Sequence, residues 1–318
     1  MTPGGATDVR ALAGWIMRGR LQAVTVAVVG TLAAFLLPPL TSPLSYLGSG
    51  AIGLVTLRRG AWEGLTVLGL GLALLGVAGQ LAAGVGAVTV VSGGLFWLPV
   101  WGAALVLRTT VSWAATLTAL VAAGLGMLAA FHLALGDPAA WWQQTLGRLL
   151  AEMPASSQSE LLGRALEALS RWMTALLASA FLVGVVLSLL LARAWQAMLY
   201  NPGGLAREFE QLRLGRGMAL AMPALALLAM TGEGALARWA ADATLIVGLA
   251  WLVQGLAVIH AVRRVRGLHR GWLVLVYGLL LFVEPHAALV IAVLGWLDGW
   301  MDFRNRVLRR SGGGHDER

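Results

Sequence analysis

Long apolar runs that are almost free of charge constrain this chain more than any other feature. Most are about 20 residues long, the length that a helix needs to cross about 30 Å of hydrocarbon. The clear runs cover residues 21–37, 61–84, 85–107, 110–135, 172–191, 218–230 and 240–259. Their number and length predict a chain that crosses a bilayer many times.

Composition agrees with this interpretation. Of the 318 residues, 58% are hydrophobic and 12% are charged, whereas a soluble domain carries about 25% charged residues. The alternation of apolar and polar residues that is typical of outer-membrane barrels is not seen. We therefore predict an all-α, polytopic transmembrane helical bundle.

Two further regions decide how many spans we predict. Residues 46–57 are short for a span, and residues 271–300 are too long for one helix. Pro285 lies near the middle of the second region and forbids a regular helix there, which predicts a hairpin turning at Glu284, Pro285 and His286. Counting both regions predicts ten spans, with eight as the alternative.

The arginines predict the orientation of the chain. All 23 basic residues are Arg, and nineteen of them fall on one side of the predicted spans. Only Arg148, Arg164, Arg171 and Arg238 fall on the other side. Because loops rich in Arg stay inside, we predict both termini on the cytoplasmic side of a bacterial inner membrane. This distribution also argues against nucleic acid as a partner.

We predict one transmembrane domain over residues 1–310, with an extracytoplasmic amphipathic insertion over residues 137–171. Within the insertion, the run Ser157-Gln158-Ser159-Glu160 matches a helix capping box. The polar, Gly-rich residues 311–318 predict a disordered tail.

Catalytic signatures are missing. The chain has no Cys, its five His are scattered, and it contains no Walker A, His-Glu-x-x-His or Gly-x-Ser-x-Gly sequence. We therefore expect neither an enzyme nor a bound cofactor or metal ion.

Polar groups near the predicted outer ends of the spans are candidates for ligand binding. Pro99, flanked by tryptophans, predicts a kinked helix of the kind that lines ligand sites in transporters; a packing kink is the alternative. The remaining groups could surround a pocket or could be solvated helix ends. The predicted ligand-binding residues are Trp97, Trp101, Gln80, His132, Glu284 and His286.

Other polar residues have structural explanations. Gln254 is the deepest polar side chain, and a hydrogen bond between helices would satisfy it. Asp242 and Arg238 are four residues apart, which favours an ion pair within one helix, and Glu63 with Arg59 has the same spacing.

Asp298 and Asp302 are also four residues apart, near the predicted inner boundary. Two carboxylates at this spacing could bind a metal ion or a proton. The alternative, which we favour, is neutralisation by Arg304 and Arg306.

Four stretches carry a family resemblance. The chain resembles the YybS-like proteins, uncharacterised bacterial membrane proteins of about this length. The stretches are Leu-Pro-Pro-Leu-Thr-Ser-Pro from Leu37, Arg-Arg-Gly-Ala-Trp-Glu-Gly from Arg58, Tyr-Asn-Pro-Gly-Gly from Tyr200, and Gly-Trp-Leu-Asp-Gly-Trp-Met-Asp-Phe-Arg from Gly295.

That family is distantly similar to the S components of energy-coupling-factor transporters. The similarity implies binding of a nutrient near the outer face and docking onto a membrane coupling protein through small residues of the first helix. This chain departs from the S components by having more than six spans and a long outer insertion. The residues predicted for partner docking are Ala23, Ala27, Asp298, Asp302 and Arg304.

We therefore predict a transport-related membrane subunit that binds a small solute and lacks its own energy source. The alternative is a membrane scaffold without a ligand, built on the outer amphipathic helix and the cytoplasmic loop over residues 200–217. The expected partners are the lipid bilayer and, in either case, a membrane protein.

Overall fold

The computed structural model describes residues 3–36, 44–152 and 160–304. Over these residues the chain is helical throughout, without β-strands, and the predicted all-α fold class is confirmed. Fourteen helices occur in the described ranges: α1 (Pro3–Ile16), α2 (Arg20–Leu36), α3 (Leu44–Arg59), α4 (Ala61–Ala83), α5 (Gly86–Thr110), α6 (Trp113–Leu135), α7 (Pro138–Ala151), α8 (Glu160–Ser170), α9 (Met173–Tyr200), α10 (Gly204–Glu210), α11 (Arg216–Thr231), α12 (Gly234–Val265), α13 (Gly271–Phe282) and α14 (His286–Met301).

The protein is a multi-pass membrane protein. Five helices of the described chain, α4, α5, α6, α9 and α12, are long and apolar enough to cross a bilayer, and four shorter apolar segments lie in α2, α11, α13 and α14. The predicted break in the helix at Glu284, Pro285 and His286 is confirmed, because α13 ends at Phe282 and α14 begins at His286. The predicted number of spans and their orientation stay predictions.

The chain divides into two compact units. Unit 1 contains Met1–Thr116 and Phe181–Phe209, and unit 2 contains Leu117–Ala180 and Glu210–Arg318. The division falls within α6, α9 and the last turn of α10. The prediction of a single domain over residues 1–310 stays a prediction.

In unit 1, α3 is enclosed by other helices. Ten consecutive residues, Gly48 to Leu57, are buried. The helix approaches α2 closely, since a β-carbon on Gly48 would lie 2.7 Å from the carbonyl oxygen of Ala27. Small residues are what allow membrane helices to approach this closely.

Helix α4 also packs closely against α5 at a small residue, but here the small residue contacts a large side chain. Trp97 of α5 is 1% exposed, and a β-carbon on Gly71 of α4 would lie 2.8 Å from its ring. Pro99 lies inside α5, which is helical from Gly86 to Thr110. The glycine supplies the space and the tryptophan fills it.

In unit 2, α12 and α14 approach each other over two glycines. A β-carbon on Gly255 would lie 1.9 Å from the carbonyl oxygen of Ile291, and one on Gly295 would lie 2.1 Å from that of Trp251. The indole Nε1 of Trp296 also donates to the carbonyl oxygen of Ala219 at 2.9 Å, which joins α14 to α11.

The predicted insertion is a pair of helices, α7 and α8, that pack against each other. Asp137 caps α7 by accepting hydrogen bonds from the backbone N–H groups of Ala139 and Ala140, and Pro138 occupies the first turn, where its missing N–H costs nothing. The predicted capping box begins at Ser157, in a stretch that, like the tail over residues 311–318, lies outside the described residues.

Candidate solute-binding site

A cavity of about 190 Å³ lies in unit 2, where α6 ends and α7, α9 and α12 begin. Its wall combines ionisable, aromatic and hydroxyl side chains. The residues that line it are His132, Asp137, Pro138, Ala139, Arg171, Trp172, Thr174, Arg238, Ala241 and Asp242.

Two buried ionisable groups of this cavity, a histidine and an aspartate, come from different helices. Nε2 of His132, in the last turn of α6, lies 3.0 Å from Oδ2 of Asp242 in α12. Their side chains are only 8% and 9% exposed. Burying two ionisable groups is costly unless they are paired, and here each supplies the partner of the other.

The second nitrogen of this histidine has no partner. Nδ1 of His132 is buried and makes no hydrogen bond within the described part of the chain. Buried polar atoms are nearly always paired with protein, water or a bound molecule. The geometry therefore leaves one imidazole nitrogen for a group that the described part of the chain does not supply.

Two guanidinium groups add positive charge around the cavity. Arg238 lies 3.7 Å from Oδ2 of Asp137, and Arg171 lies 3.8 Å from Glu167. At these distances and exposures the ion pairs are weak, so both arginines retain donors for another acceptor.

One hydrogen bond fixes a wall of the cavity. The indole Nε1 of Trp142, in α7, donates to Oγ1 of Thr174, in α9, at 2.9 Å. Asp137 also caps the start of α7. The cap and the Trp142–Thr174 hydrogen bond together fix the position of α7 at the cavity. The site thus combines an imidazole, carboxylates and guanidinium groups, and this set can bind a small solute that carries both donors and acceptors.

His132 is the one residue of the predicted ligand-binding set that lines this cavity. Two others, in unit 1, make packing and capping contacts: Trp101 donates from Nε1 to the carbonyl oxygen of Ala61 at 3.1 Å, and Oε1 of Gln80 accepts from the backbone N–H of Gly86 at 3.2 Å. With Trp97 against Gly71, all three unit 1 residues have structural contacts.

Glu284 and His286 are exposed in the turn between α13 and α14, and neither lines the cavity at His132. Their role in binding stays a prediction. Their exposure matches the alternative, in which they are solvated helix ends.

The two small residues predicted for partner docking are covered within unit 1. Ala23 and Ala27 are 0% exposed, and α2 packs against α3 along this face. Docking at these alanines stays a prediction that the geometry does not support.

Of the three predicted docking residues near the C-terminus, Asp298 and Arg304 belong to a buried network in unit 2, whereas Asp302 pairs with Arg213 and is more exposed. Arg304 donates to the carboxylate of Asp298 at 2.7 Å and to the carbonyl oxygens of Glu210 and Leu212 at 2.7 and 2.8 Å. The predicted neutralisation of Asp298 by Arg304 is confirmed. Asp302 does not share its helical face, because α14 ends at Met301 and Asp302 adopts a φ of 50°.

Gln254 joins the same network and confirms the predicted hydrogen bond between helices. Its Nε2 donates to the carbonyl oxygen of Gly295 at 2.9 Å, and its Oε1 accepts from the backbone N–H of Leu214 at 2.6 Å. The segment from Leu212 to Leu214 is therefore held from both sides, by Arg304 and by Gln254.

Both ion pairs predicted from spacing within one helix were wrong. Asp242 bonds His132 and not Arg238, while Glu63 pairs with Arg20 of α2. Spacing along one helix reports only local neighbours, and these carboxylates find partners on other helices. The sequence analysis missed the Asp242–His132 pair for this reason. The start of α7 at Asp137-Pro138, by contrast, carries a helix-start signal that is recognisable in the sequence.

Comparison with known proteins adds no relative to this description. No family model, no curated protein and no solved structure matches the chain.

Proposed function

We propose that this membrane protein is a transport-related subunit that binds a small polar solute in the unit 2 cavity beside His132 and Asp242. The observation that carries the proposal is the buried His132–Asp242 pair on the cavity wall, with Nδ1 of His132 lacking a partner among the residues that the structure describes. Ionisable groups are costly within membrane helices and usually mark a functional site.

The size of the cavity limits the solute. The cavity has a volume of about 190 Å³, which is enough for several water molecules or a small organic molecule. The proposed solute is therefore much smaller than a typical vitamin or a drug-sized ligand, whose sites span about 300–1,000 Å³.

The charges on the wall indicate the class of solute. Arg171 and Arg238 can donate to a carboxylate, while Asp242 can accept from an ammonium or hydroxyl group. A small zwitterion, such as an amino acid, matches both kinds of partner. The chain contains no nucleotide-binding sequence, so the energy for transport would come from a partner protein.

Native mass spectrometry tests the proposal on protein purified gently from its own membranes. We expect a small adduct that is lost in Asp242→Asn and His132→Gln. The matched controls are Glu284→Gln and His286→Gln, which change a carboxylate and a histidine outside the cavity and should keep the adduct. Retention of the adduct in the cavity variants would contradict this site.

A second measurement uses defined probes. Small zwitterionic amino acids at millimolar concentration should raise the melting temperature of the wild type, because a ligand that binds only the folded state stabilises it. Asp242→Asn should show no such increase. Equal stabilisation of both proteins would refute the assignment to this cavity.

The scaffold hypothesis keeps one observation in its favour. The α7–α8 pair exposes large apolar side chains, including Leu149 (56%) and Leu161 (78%), and such a face suits a partner protein or the bilayer surface. Co-purification of a partner that is lost in Leu161→Glu, with no solute adduct in the wild type, would favour the scaffold. Membership of the YybS-like family stays a prediction.

A further inference from the structure

A second cavity, of about 300 Å³, lies within unit 1. It is formed where the last turns of α3, α5 and α9 meet the start of the segment leading to α10. Three arginines line it together with apolar and aromatic side chains. The lining residues are Leu57, Arg58, Leu107, Arg108, Val111, Arg193, Gln196, Tyr200, Asn201 and Glu208.

One of the three arginines is already neutralised. Arg193 makes a two-point ion pair with Glu208, with Nε donating to Oε2 at 2.9 Å. Its side chain is only 10% exposed. This pair forms a fixed wall of the cavity and contributes no net charge.

The other two arginines have no acidic partner among the described residues. Arg58 stacks on Tyr200, with its guanidinium carbon 4.2 Å from the ring centroid. Stacking holds the plane of the guanidinium and leaves its N–H edge free, and no acceptor for that edge occurs in the described ranges. Arg108 uses Nη1 to donate to the carbonyl oxygen of Leu57 at 2.6 Å, which leaves most of its five donors.

The charge balance favours a singly charged anion. The three arginines and Glu208 sum to a formal charge of +2. Three helices end here, and each C-terminus acts as about −0.5 of a charge, so the net potential corresponds to about +0.5 to +2. A phosphodiester, with one negative charge, matches the middle of this range, whereas a phosphate monoester, with about −1.5 to −2, matches only its upper limit.

The apolar part of the wall indicates what is attached to the phosphodiester. Leu57 and Leu107 form a buried floor, while Val111, which follows α5, is 76% exposed. A ligand with a charged head and an apolar body can contact both parts. In a membrane protein, a basic pocket at the ends of the spans matches the head group of an anionic phospholipid.

We infer that the unit 1 cavity binds the phosphodiester head group of an anionic phospholipid through Arg58 and Arg108. The side of the membrane that is predicted to be cytoplasmic carries this cavity, because Arg58, Arg108 and Arg193 belong to the clusters predicted to lie inside. Two of the sequence stretches that carry the family resemblance, from Arg58 and from Tyr200, meet in it. This site is independent of the proposed solute site, which lies in unit 2.

The experiment is a lipid titration followed by native mass spectrometry. Delipidated wild-type protein in detergent is mixed with phosphatidylglycerol or with phosphatidylcholine, which differ in net charge but share the phosphodiester. We expect saturable binding of one phosphatidylglycerol per chain and weak, non-saturating binding of phosphatidylcholine. In Arg58→Gln/Arg108→Gln the affinity for phosphatidylglycerol should fall about 30-fold, since each basic residue contributes about fivefold.

Two further variants separate binding from folding. Arg266→Gln removes one exposed arginine outside the cavity and should leave the titration unchanged. Arg58→Lys/Arg108→Lys keeps the charge and should recover part of the lost affinity. Equal affinity for the two lipids, or an unchanged affinity in the double Gln variant with Tm near wild type, would overturn the inference.

Inorganic phosphate identifies the source of the anion. If the lipid is the ligand, 10 mM phosphate, a concentration of about 100 times that of the added lipid, should not displace phosphatidylglycerol. Displacement by phosphate would overturn the lipid assignment and point to a soluble phosphate ester.

Discussion

The two units bury polar groups in different ways. Both let helix backbones approach over glycines, as at Gly48 in unit 1 and Gly295 in unit 2. In unit 1 the buried polar residues that the structure describes are Ser and Thr apart from Arg193, whereas unit 2 buries His132, Glu210, Asp242, Gln254, Asp298 and Arg304.

The difference is clearest between Thr56 and Gln254, although Thr89 of unit 1 also donates to a neighbouring helix, to the carbonyl oxygen of Leu75 at 3.2 Å. Thr56 in unit 1 donates to the carbonyl oxygen of Ile52, one turn earlier in its own helix. Gln254 in unit 2 bonds to residues about forty positions away along the chain. A hydroxyl satisfied by its own helix adds little to tertiary structure, while a bond between helices fixes their arrangement. Substitutions in unit 2 should therefore have larger and more distant effects.

The largest effect is expected at Arg304. Arg304→Met removes the one ion pair that Asp298, which is 4% exposed, makes within the described part of the chain, and an uncompensated buried charge costs about 3–5 kcal/mol. The free energy of unfolding, measured by denaturant titration in detergent with tryptophan fluorescence, should fall by that amount. Asp298→Asn/Arg304→Met should lose less, since its amide is uncharged.

The matched control for this pair is Arg213→Met. Arg213 pairs with Asp302, and both side chains are well exposed, at 48% and 40%; such pairs contribute about 0–1 kcal/mol. If Arg304→Met lowered the free energy of unfolding no more than Arg213→Met, the proposed difference between buried and exposed ion pairs in unit 2 would be wrong.

A smaller effect separates the two units directly. Gln254→Leu leaves the buried N–H of Leu214 without its acceptor, which costs about 1–3 kcal/mol. Thr56→Val, in unit 1, removes a hydroxyl but leaves the carbonyl oxygen of Ile52 in its helix, and should cost less than about 1 kcal/mol. The same denaturant titration measures both variants, and equal losses would break the comparison.

The smallest effect concerns pH. Burial raises the pKa of Glu210 above its ordinary value of 4.5, while Arg264 and Arg263 act in the opposite direction. Between pH 4.5 and the raised pKa, the folded chain holds a proton that the unfolded chain releases, so this contribution to stability grows as pH falls and is lost as pH rises through the folded pKa.

Comparing wild type with Glu210→Gln isolates that contribution. The unfolding free energy of wild type relative to the variant should increase as the pH is lowered from 7 to 4.5. A relative decrease over this interval would mean that Arg264, 2.6 Å from Glu210, outweighs burial.

Hydropathy was enough to predict the long apolar helices but not their partners. The apolar run over residues 61–84 became α4 (Ala61–Ala83), and the run over 110–135 became α6 (Trp113–Leu135). These boundaries follow from transfer energies, which depend on local composition. The hydrogen bond between His132 of α6 and Asp242 of α12 depends on three-dimensional packing. No pattern in the sequence of either helix specifies it.

The candidate site shows the same limit. His132 was predicted because it lies near the end of an apolar run, a property visible in the sequence. Asp242 was interpreted as the partner of Arg238, since four-residue spacing is the only proximity that a sequence displays. Its true neighbour is 110 positions away, and only the fold brings the two together.

The enclosure of α3 bears on how the protein enters its membrane. With Gly48 to Leu57 all buried, this helix has little surface left for contact with lipid. Its residues pack closely against neighbouring helices. Its own partitioning into hydrocarbon contributes little to insertion. The apolar helices around it supply that free energy, so the stable insertion of α3 is a property of the assembled group and not of the segment alone.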